Sequence, residues 1–307
     1  MTMKVFMTGG TGFVGAYLSR KLADAGHEVT ILSRGAPPTT FAYPRINYMQ
    51  GDPTQEGPWM AAVPGFDWLI NLAGASVFRR WTKKSKAEIY DSRILSTRNL
   101  TKALAGGNPR QFFCSTSAIG YYGGRGDEEL TEDSPPGDDF LARLAQEWEA
   151  EALKARELGV RVVITRFGLV LGKEGGALGQ MVPMYRKFLG GPVGDGRQWF
   201  SWIHQEDHAR VFLFLLGHPE ISGPVNLTSP NPVRNRALAR ALGRALHRPA
   251  FMKAPASLLR LVLGEFAGVV LEGQKVLPQR LLNAGFEFLY PTIDAALEDL
   301  LGKGVEV

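Results

Sequence analysis

The chain has 307 residues, 45% hydrophobic and 21% charged, which fits a soluble globular protein and excludes a wholly disordered one. That length suggests one large domain or two ordinary ones, burying about 75% of the surface of the unfolded chain. A single cysteine, Cys114, excludes an internal disulfide framework, and the 36 glycines follow no Gly-X-Y period. The formal charge of +5 would suit a nucleic-acid partner, but Lys and Arg are scattered. The one dense run is Lys83-Lys84-Ser85-Lys86, beside Arg79-Arg80, and reads as a solvated face. A basic excess suits a protein that holds a phosphorylated cofactor. No signal-peptide pattern precedes Val5, and no stretch approaches the ~18 apolar residues of a membrane helix. Residues 258–271 come nearest, interrupted by Arg260 and Glu265. The expectation is a cytoplasmic protein with a small-molecule substrate, no nucleic acid and no membrane partner.

Strand-like and helix-like segments alternate through the first half. Residues 5–8 predict a strand, and Val14, Leu18 and Leu22 recur at helical spacing up to Gly26. Strands follow at 29–32, 46–49 and 68–72, then a helix over 89–104 and a fifth strand at 112–115. Residues 120–139 are rich in glycine, proline and acids and predict a long functional loop. A helix over 140–158 and a β-branched strand at 160–164 come next, then helices over 211–216, 237–246 and 255–273. Glu206-Asp207 open the first of those three. This order predicts an α/β, doubly wound parallel sheet of Rossmann type with a smaller C-terminal α/β region. The dinucleotide domain is expected over 1–172, with later segments up to about 246 weaving back into it.

The first strand leads directly into Thr8-Gly9-Gly10-Thr11-Gly12-Phe13-Val14-Gly15 and then a helix. Glycines at these spacings give a tight turn, a close backbone approach to a pyrophosphate and close helix–strand packing. The helix N-terminus offers free N–H groups to the anion. An acid about 20 residues on would bind a free ribose 2′-hydroxyl. Here stand Ser33-Arg34-Gly35, with no carboxylate. A guanidinium binds a 2′-phosphate in bidentate fashion, so NADP(H) is expected over NAD(H).

The glycine loop, Asn71-Leu72-Ala73-Gly74 and Ser115-Thr116-Ser117-Ala118 together resemble an extended short-chain dehydrogenase/reductase. The chain is more closely similar to that group's atypical "epimerase family" branch, in which an NAD(P)-binding domain precedes a short C-terminal domain of unknown function. The carrying segments are Arg80-Trp81-Thr82, Ser92-Arg93, Trp148-Glu149, Thr165-Arg166-Phe167-Gly168, Leu277-Pro278 and Ala284-Gly285-Phe286. The resemblance implies that residues 247–307 form that C-terminal domain. It implies that Gly9, Thr11, Gly12, Phe13 and Val14 line the pyrophosphate, and that Ser33 and Arg34 hold the 2′-phosphate. Asp52 matches an acid near the adenine, or serves the turn before Pro53. Leu72, Ala73 and Gly74 pass under the cofactor, and Ser115 to Ser117 flank the nicotinamide. A homodimer through the helices at 89–104 and 140–158 is also implied by resemblance.

The family's Tyr-x-x-x-Lys pair is missing, for its positions hold Leu141 and Ala145, which transfer no protons. The resemblance makes Ser117 the active-site serine, and Tyr121 and Tyr122, the phenols nearest in sequence to the cofactor edge, are the candidates to replace the missing acid. The implied activity is an NADP(H)-dependent oxidoreductase or epimerase-like enzyme; a catalytically silent NADP(H) sensor is the alternative. Arg80, Trp81, Ser92 and Arg93 are expected either to face the substrate or to pack and solvate the surface. Glu128, Glu129, Glu132 and Asp133 read as a solvated acidic turn. Trp199, Phe200 and Trp202 read as core. His204 and His208 would share one helix face, a weak metal pair without a third ligand.

Overall fold

The computed structural model describes residues 2–35, 42–107, 110–173 and 175–302. In chain order, β1 (Lys4–Thr8), α1 (Phe13–Asp24), β2 (Glu28–Ser33), β3 (Ile46–Gln50) and β4 (Trp68–Asn71) come first. Then follow α2 (Lys83–Ala103), β5 (Phe112–Ala118), β6 (Glu129–Leu130), α3 (Phe140–Leu153), β7 (Arg161–Phe167) and β8 (Leu169–Gly172). The last part holds α4 (Gly176–Arg186), β9 (Trp199–Phe200), β10 (Trp202–His204), α5 (Gln205–Gly217), β11 (Gly223–Leu227), β12 (Val233–Arg234) and α6 (Asn235–Leu246). It closes with α7 (Ala256–Leu263), α8 (Phe266–Glu272), β13 (Lys275–Val276), α9 (Gln279–Asn283) and α10 (Ile293–Leu301).

Seven strands form one parallel sheet in the order β11-β7-β5-β4-β1-β2-β3. The chain starts at β1, winds outward to β3, then crosses to β4 on the other side of β1. That reversal opens a crevice at the C-terminal ends of β1 and β4, where doubly wound folds bind ligands. Both faces of the sheet are covered, so the strands read as continuous apolar runs. Val5, Met7, Ile31, Ile70, Cys114 and Val163 pack on the α1/α5 side. Phe6, Leu69, Phe113, Val162 and Ile164 form the opposite core. A buried polar chain fixes the crossing point: Thr8 donates to Asn71 (2.7 Å), whose amide donates to Thr97 (2.8 Å). Trp148 Nε1 reaches the same Thr97 oxygen at 2.7 Å, tying α2 and α3 to the switch. Cys114 is fully buried, and burial pushes its thiol up to about 12, which keeps it an inert packing group.

Several expected boundaries shift. The helix predicted over 89–104 starts at Lys83, because Thr82 and Ser85 form a reciprocal capping box. The basic run is therefore its first turn, with Lys83 and Lys84 exposed. The 140–158 helix is α-helical only to Leu153, then tightens to a 3-10 turn ended by Gly159 at φ 77°. The strand at 160–164 extends as Arg161–Phe167. The 255–273 segment is two helices, broken at Gly264, whose φ of 61° no helix tolerates. The long loop contains a 3-10 turn at Ile119–Tyr122, and its β6 pairs in parallel with β13. The C-terminal region is thus hydrogen-bonded into the loop that borders the cleft.

Candidate functional site

The phosphate loop is shaped by what its glycines touch. Gly9 takes φ 68°, and a Cβ there would stand 2.6 Å from the Leu72 carbonyl carbon, so β1 and the loop after β4 meet backbone to backbone. A side chain at Gly15 would overlap the Gly9 carbonyl and approach the Gly10 Cα at 2.7 Å. The turn closes by Gly12 N–H donating to Gly9 O at 3.0 Å. No side chain caps α1 and no acid lies in its first turn, so its leading N–H groups and dipole are unclaimed. Thr11 and Gly12 are exposed, while Phe13 and Val14 are half-buried. The Phe13 ring is wrapped by the β8–α4 turn: a Cβ at Gly172, Gly175 or Gly176 would reach it at 2.7–2.9 Å. Those glycines thereby seat the second half of the chain on the phosphate loop.

At the end of β2, Ser33 donates to the Gly35 carbonyl (2.9 Å). Arg34 is exposed and has no ion-pair partner among the described residues. Asp52 behaves as a turn residue, for its Oδ1 accepts from both the N–H (2.9 Å) and the hydroxyl (2.7 Å) of Thr54. After β4, Ser92 and Arg93 hold both backbone groups of Ala75. Its N–H donates to Ser92 Oγ at 2.9 Å, and its carbonyl accepts from Arg93 Nη1 at 2.9 Å. The Arg93 guanidinium lies against Gly74, where a Cβ would stand 3.0 Å from its Cζ, and 5.2 Å from the Trp148 ring. It has no carboxylate partner among the described residues. Burial, and then the charge of Arg79, lower its pKa to about 10.

The other end of the cleft is closed by a buried charge network. Ser117 donates to Glu149 Oε1 at 2.6 Å. Arg166 grips the same carboxylate with a two-pronged fork, both bonds 2.8 Å. Its Nη1 donates to the Tyr122 hydroxyl (2.9 Å), which donates in turn to Asn226 Oδ1 at 2.7 Å. Burial alone would lower the pKa of Arg166, but the hydrogen bonds and charge of Glu149 outweigh it and raise it. Tyr122 is fully buried, with burial pushing it up to about 12, so this phenol sits in the core with its hydroxyl satisfied rather than at the cofactor edge. Tyr121 is half-buried, with Arg166 stacked 3.5 Å from its ring centre and no hydroxyl partner among the described residues. Leu141 packs on Gly120 and Ala145 is buried, so apolar groups fill the places of the family's proton-transfer pair. Ser115 Oγ and Thr116 Oγ1, in the middle of β5, are buried without a hydrogen-bond partner among the described residues. The segments holding Ser117, Glu149 and Arg166 were each singled out in the sequence, but their union in one network was not, because they lie on separate elements.

Other expectations are corrected by burial. Glu132 is not a solvated acid: it is 4% exposed and accepts from the Asn226 N–H (2.9 Å) and the Arg280 N–H (3.3 Å). Burial raises its pKa, partly offset by those N–H donors. His204 ends β10, so it shares no helix face with His208; its Nδ1 accepts from the Glu206 N–H at 3.0 Å and caps α5. His208 is buried against the Phe167 ring at 4.3 Å, and burial lowers it to about 3. Trp202 is fully buried, while Trp199 lies half-buried under the Arg234 guanidinium at 4.0 Å. Trp81 packs edge-on to Phe140 (5.2 Å) and against Phe266 (5.5 Å), with exposed Arg80 beside Gly264. Among the described residues no cluster could hold a metal ion, and no helix is long and apolar enough to cross a membrane.

A seven-stranded doubly wound sheet with this glycine cradle at its switch point defines an extended short-chain dehydrogenase/reductase fold. Residues 5–227 match the NAD dependent epimerase/dehydratase family, and residues 254–300 match a domain of unknown function, DUF1731. The chain belongs to that epimerase family. It is 40% identical over 303 residues to the chloroplastic "Epimerase family protein SDR39U1 homolog" of Arabidopsis thaliana, covering 97% of this chain and 87% of that one. It is 39% identical over 306 residues to "Epimerase family protein YfhF" of Bacillus subtilis, covering 97% and 98%. Among solved structures, the human epimerase family protein SDR39U1 (isoform 2), crystallised with NADPH, superposes with a TM-score of 0.86 at 34% identity, covering 98% and 100%. The Thermus thermophilus UDP-glucose 4-epimerase, solved with NAD, has a TM-score of 0.79 at 18% identity over 98% and 100%, a likeness of fold alone.

Proposed function

We propose that the protein is an NADP(H)-dependent oxidoreductase of the epimerase type acting on a small or medium polar substrate. The observation that carries the cofactor assignment is Arg34: exposed, unpaired among the described residues, and standing where an NAD-selective chain places a carboxylate. The human relative crystallised with NADPH supports the same choice. The uncapped α1 and the bare hydroxyls of Ser115 and Thr116 fit a dinucleotide, since they are buried or oriented donors awaiting acceptors. Gly9, Thr11, Gly12, Phe13 and Val14 would hold its diphosphate, Ser33 and Arg34 its 2′-phosphate, and Leu72, Ala73 and Gly74 its underside. The unpaired Arg93 adds positive charge at the same loop. When bound, the nicotinamide supplies a hydride donor or acceptor.

The chain's own proton chemistry must run without the usual pair. Tyr121 is the assigned acid–base group, because its hydroxyl is uncommitted while that of Tyr122 is spent on Asn226. Ser117 orients a substrate oxygen only by exchanging its bond to Glu149, and Arg166 then holds that carboxylate in place. This commitment of Ser117 favours a second reading, a catalytically silent NADP(H) sensor. The test is incubation with stereospecifically deuterated NADPH and a panel of carbonyl compounds, read by mass spectrometry. Deuterium transfer that Tyr121→Phe abolishes and Tyr122→Phe does not is the expected result. Tight NADPH binding without transfer to any compound favours the sensor, and absence of NADPH binding overturns both readings.

A further inference from the structure

The positive charge of this chain is concentrated rather than spread. Residues 221–264 hold seven Lys and Arg and no Asp or Glu, whereas the remainder has 28 cations against 30 acids. Helical spacing hides the concentration from a search for basic runs. Arg236, Arg240 and Arg244 recur every fourth residue on the exposed face of α6, opposite buried Leu238, Ala241 and Leu242. Arg248 continues the line one turn beyond the helix. Arg240, Arg244, His247 and Arg248 border an open depression of about 690 Å³, floored by Gly243 and Ala250. The carboxylate paired there is Asp294, 2.5 Å from Arg244.

Large apolar side chains crowd against this basic edge. Met184, Phe188 and Leu189 at the end of α4 are exposed, as are Phe251 (72%) and Met252. The two groups are joined, since Met252 N–H donates to Gly190 O at 3.0 Å and the Arg248 guanidinium lies 5.1 Å over the Phe188 ring. Lys187 and Lys253 interleave with them, both exposed. The chain then enters α7, a helix with no buried residue, on which Leu258, Leu261 (73%) and Val262 stand at i, i+3 and i+4 beside Arg260. A soluble surface seldom leaves so many large apolar groups together without a partner.

We propose that this face docks the protein on an anionic phospholipid surface. The phosphate headgroups enter the arginine-lined depression, while Phe188, Leu189, Phe251, Met252 and the apolar edge of α7 enter the acyl boundary. A short amphipathic helix with basic flanks and an exposed apolar face is the pattern of interfacial, not spanning, association. Self-association through this face would bring two sets of arginines together, with Asp294 the acid paired among them, which like-charge repulsion opposes. The apolar groups are mostly aliphatic, which suits lipid better than stacking on nucleic-acid bases.

Flotation of the full chain with vesicles of phosphatidylcholine, and with vesicles containing 30% phosphatidylglycerol, tests the assignment. The expected result is binding to the anionic vesicles alone, falling at least tenfold between 50 and 500 mM salt. The variant Arg240→Glu/Arg248→Glu and, separately, Phe251→Ser/Leu261→Ser should each lose at least tenfold in partitioning. Both keep wild-type circular dichroism and NADPH titration, because every altered residue is exposed and remote from the phosphate loop. No binding to anionic vesicles at 50 mM salt overturns the proposal. So does equal binding to neutral vesicles, binding of a DNA duplex in place of vesicles, or a dimer that Phe251→Ser/Leu261→Ser dissociates.

Discussion

At the end of the cleft between β1, β2 and β4, positive groups lack an anionic partner among the described residues. The first turn of α1 has no capping side chain, Arg34 has no carboxylate, and Arg93 has no counter-charge among the described residues. At the opposite end, between β5, α3 and β7, the charged groups are committed. Ser117, Glu149, Arg166, Tyr122 and Asn226 form one buried chain in which each member satisfies the next. A free donor set is preorganised for an anionic ligand, whereas a satisfied buried network specifies a rigid core. The same fold therefore keeps donors free at one end of the cleft, while at the other a satisfied network surrounds one uncommitted phenol, Tyr121.

Four substitutions sharpen or break this contrast. The largest effect is expected from Gly15→Val, whose side chain must displace the Gly9 carbonyl and with it the N–H groups of the α1 terminus. Losing two charge-assisted hydrogen bonds lowers NADPH affinity by about 100-fold or more, measurable by calorimetry. Next comes Glu149→Leu, which strands the Arg166 guanidinium in the core at a cost of about 3–5 kcal/mol in denaturant unfolding. The double variant Glu149→Leu/Arg166→Met should recover most of that loss. Recovery would show a structural pair; full stability of the single variant would show that the network is not the closed unit described.

His208 gives a smaller, pH-dependent effect. Burial holds it neutral in the fold, lowered to about 3 from an ordinary value near 6.5. Its contribution is complete above pH ~6.5 and is lost as pH falls from there toward 3, because only the unfolded chain binds the proton. Burial lowers His204 and His27 in the same direction. His208→Leu should remove about 2 kcal/mol of the stability difference between pH 7 and pH 5, read from denaturation midpoints. The smallest effect is a split one. Thr116→Val deletes a buried hydroxyl without a partner, so the cofactor-free protein should gain up to about 1 kcal/mol while NADPH affinity drops a few-fold. A loss of stability instead would mean that the hydroxyl already serves the fold.

What the residues revealed in advance follows the range of the interactions involved. The cradle was legible because Gly9, Gly12 and Gly15 lie within one turn, and the sheet because buried parallel strands are continuous apolar runs. The place of Arg34, exposed just past the end of β2, was legible too, because a strand end is a local feature. Glu132 was misread as solvated because its hydrogen-bond donors, the N–H groups of Asn226 and Arg280, lie far along the chain. The start of α2 was missed because lysines in a first turn oppose the helix dipole, and the Thr82–Ser85 box overrides them. Tyr122 looked like a catalytic phenol until Asn226 and Arg166 converged on its hydroxyl from β11 and β7. The absence of Tyr and Lys on α3 was plain, but the network joining Ser117, Glu149, Arg166, Tyr122 and Asn226 is a tertiary fact.

The proposed cofactor choice rests on the open end of the cleft reading a 2′-phosphate through Arg34. Calorimetric titration of NADPH and NADH into the wild-type chain and Arg34→Ala tests it most directly. NADPH should bind at least tenfold tighter than NADH in the wild type, with the preference erased in Arg34→Ala and NADH affinity unchanged. Equal affinity for both nucleotides in the wild type, or an NADPH preference that survives the substitution, would contradict it.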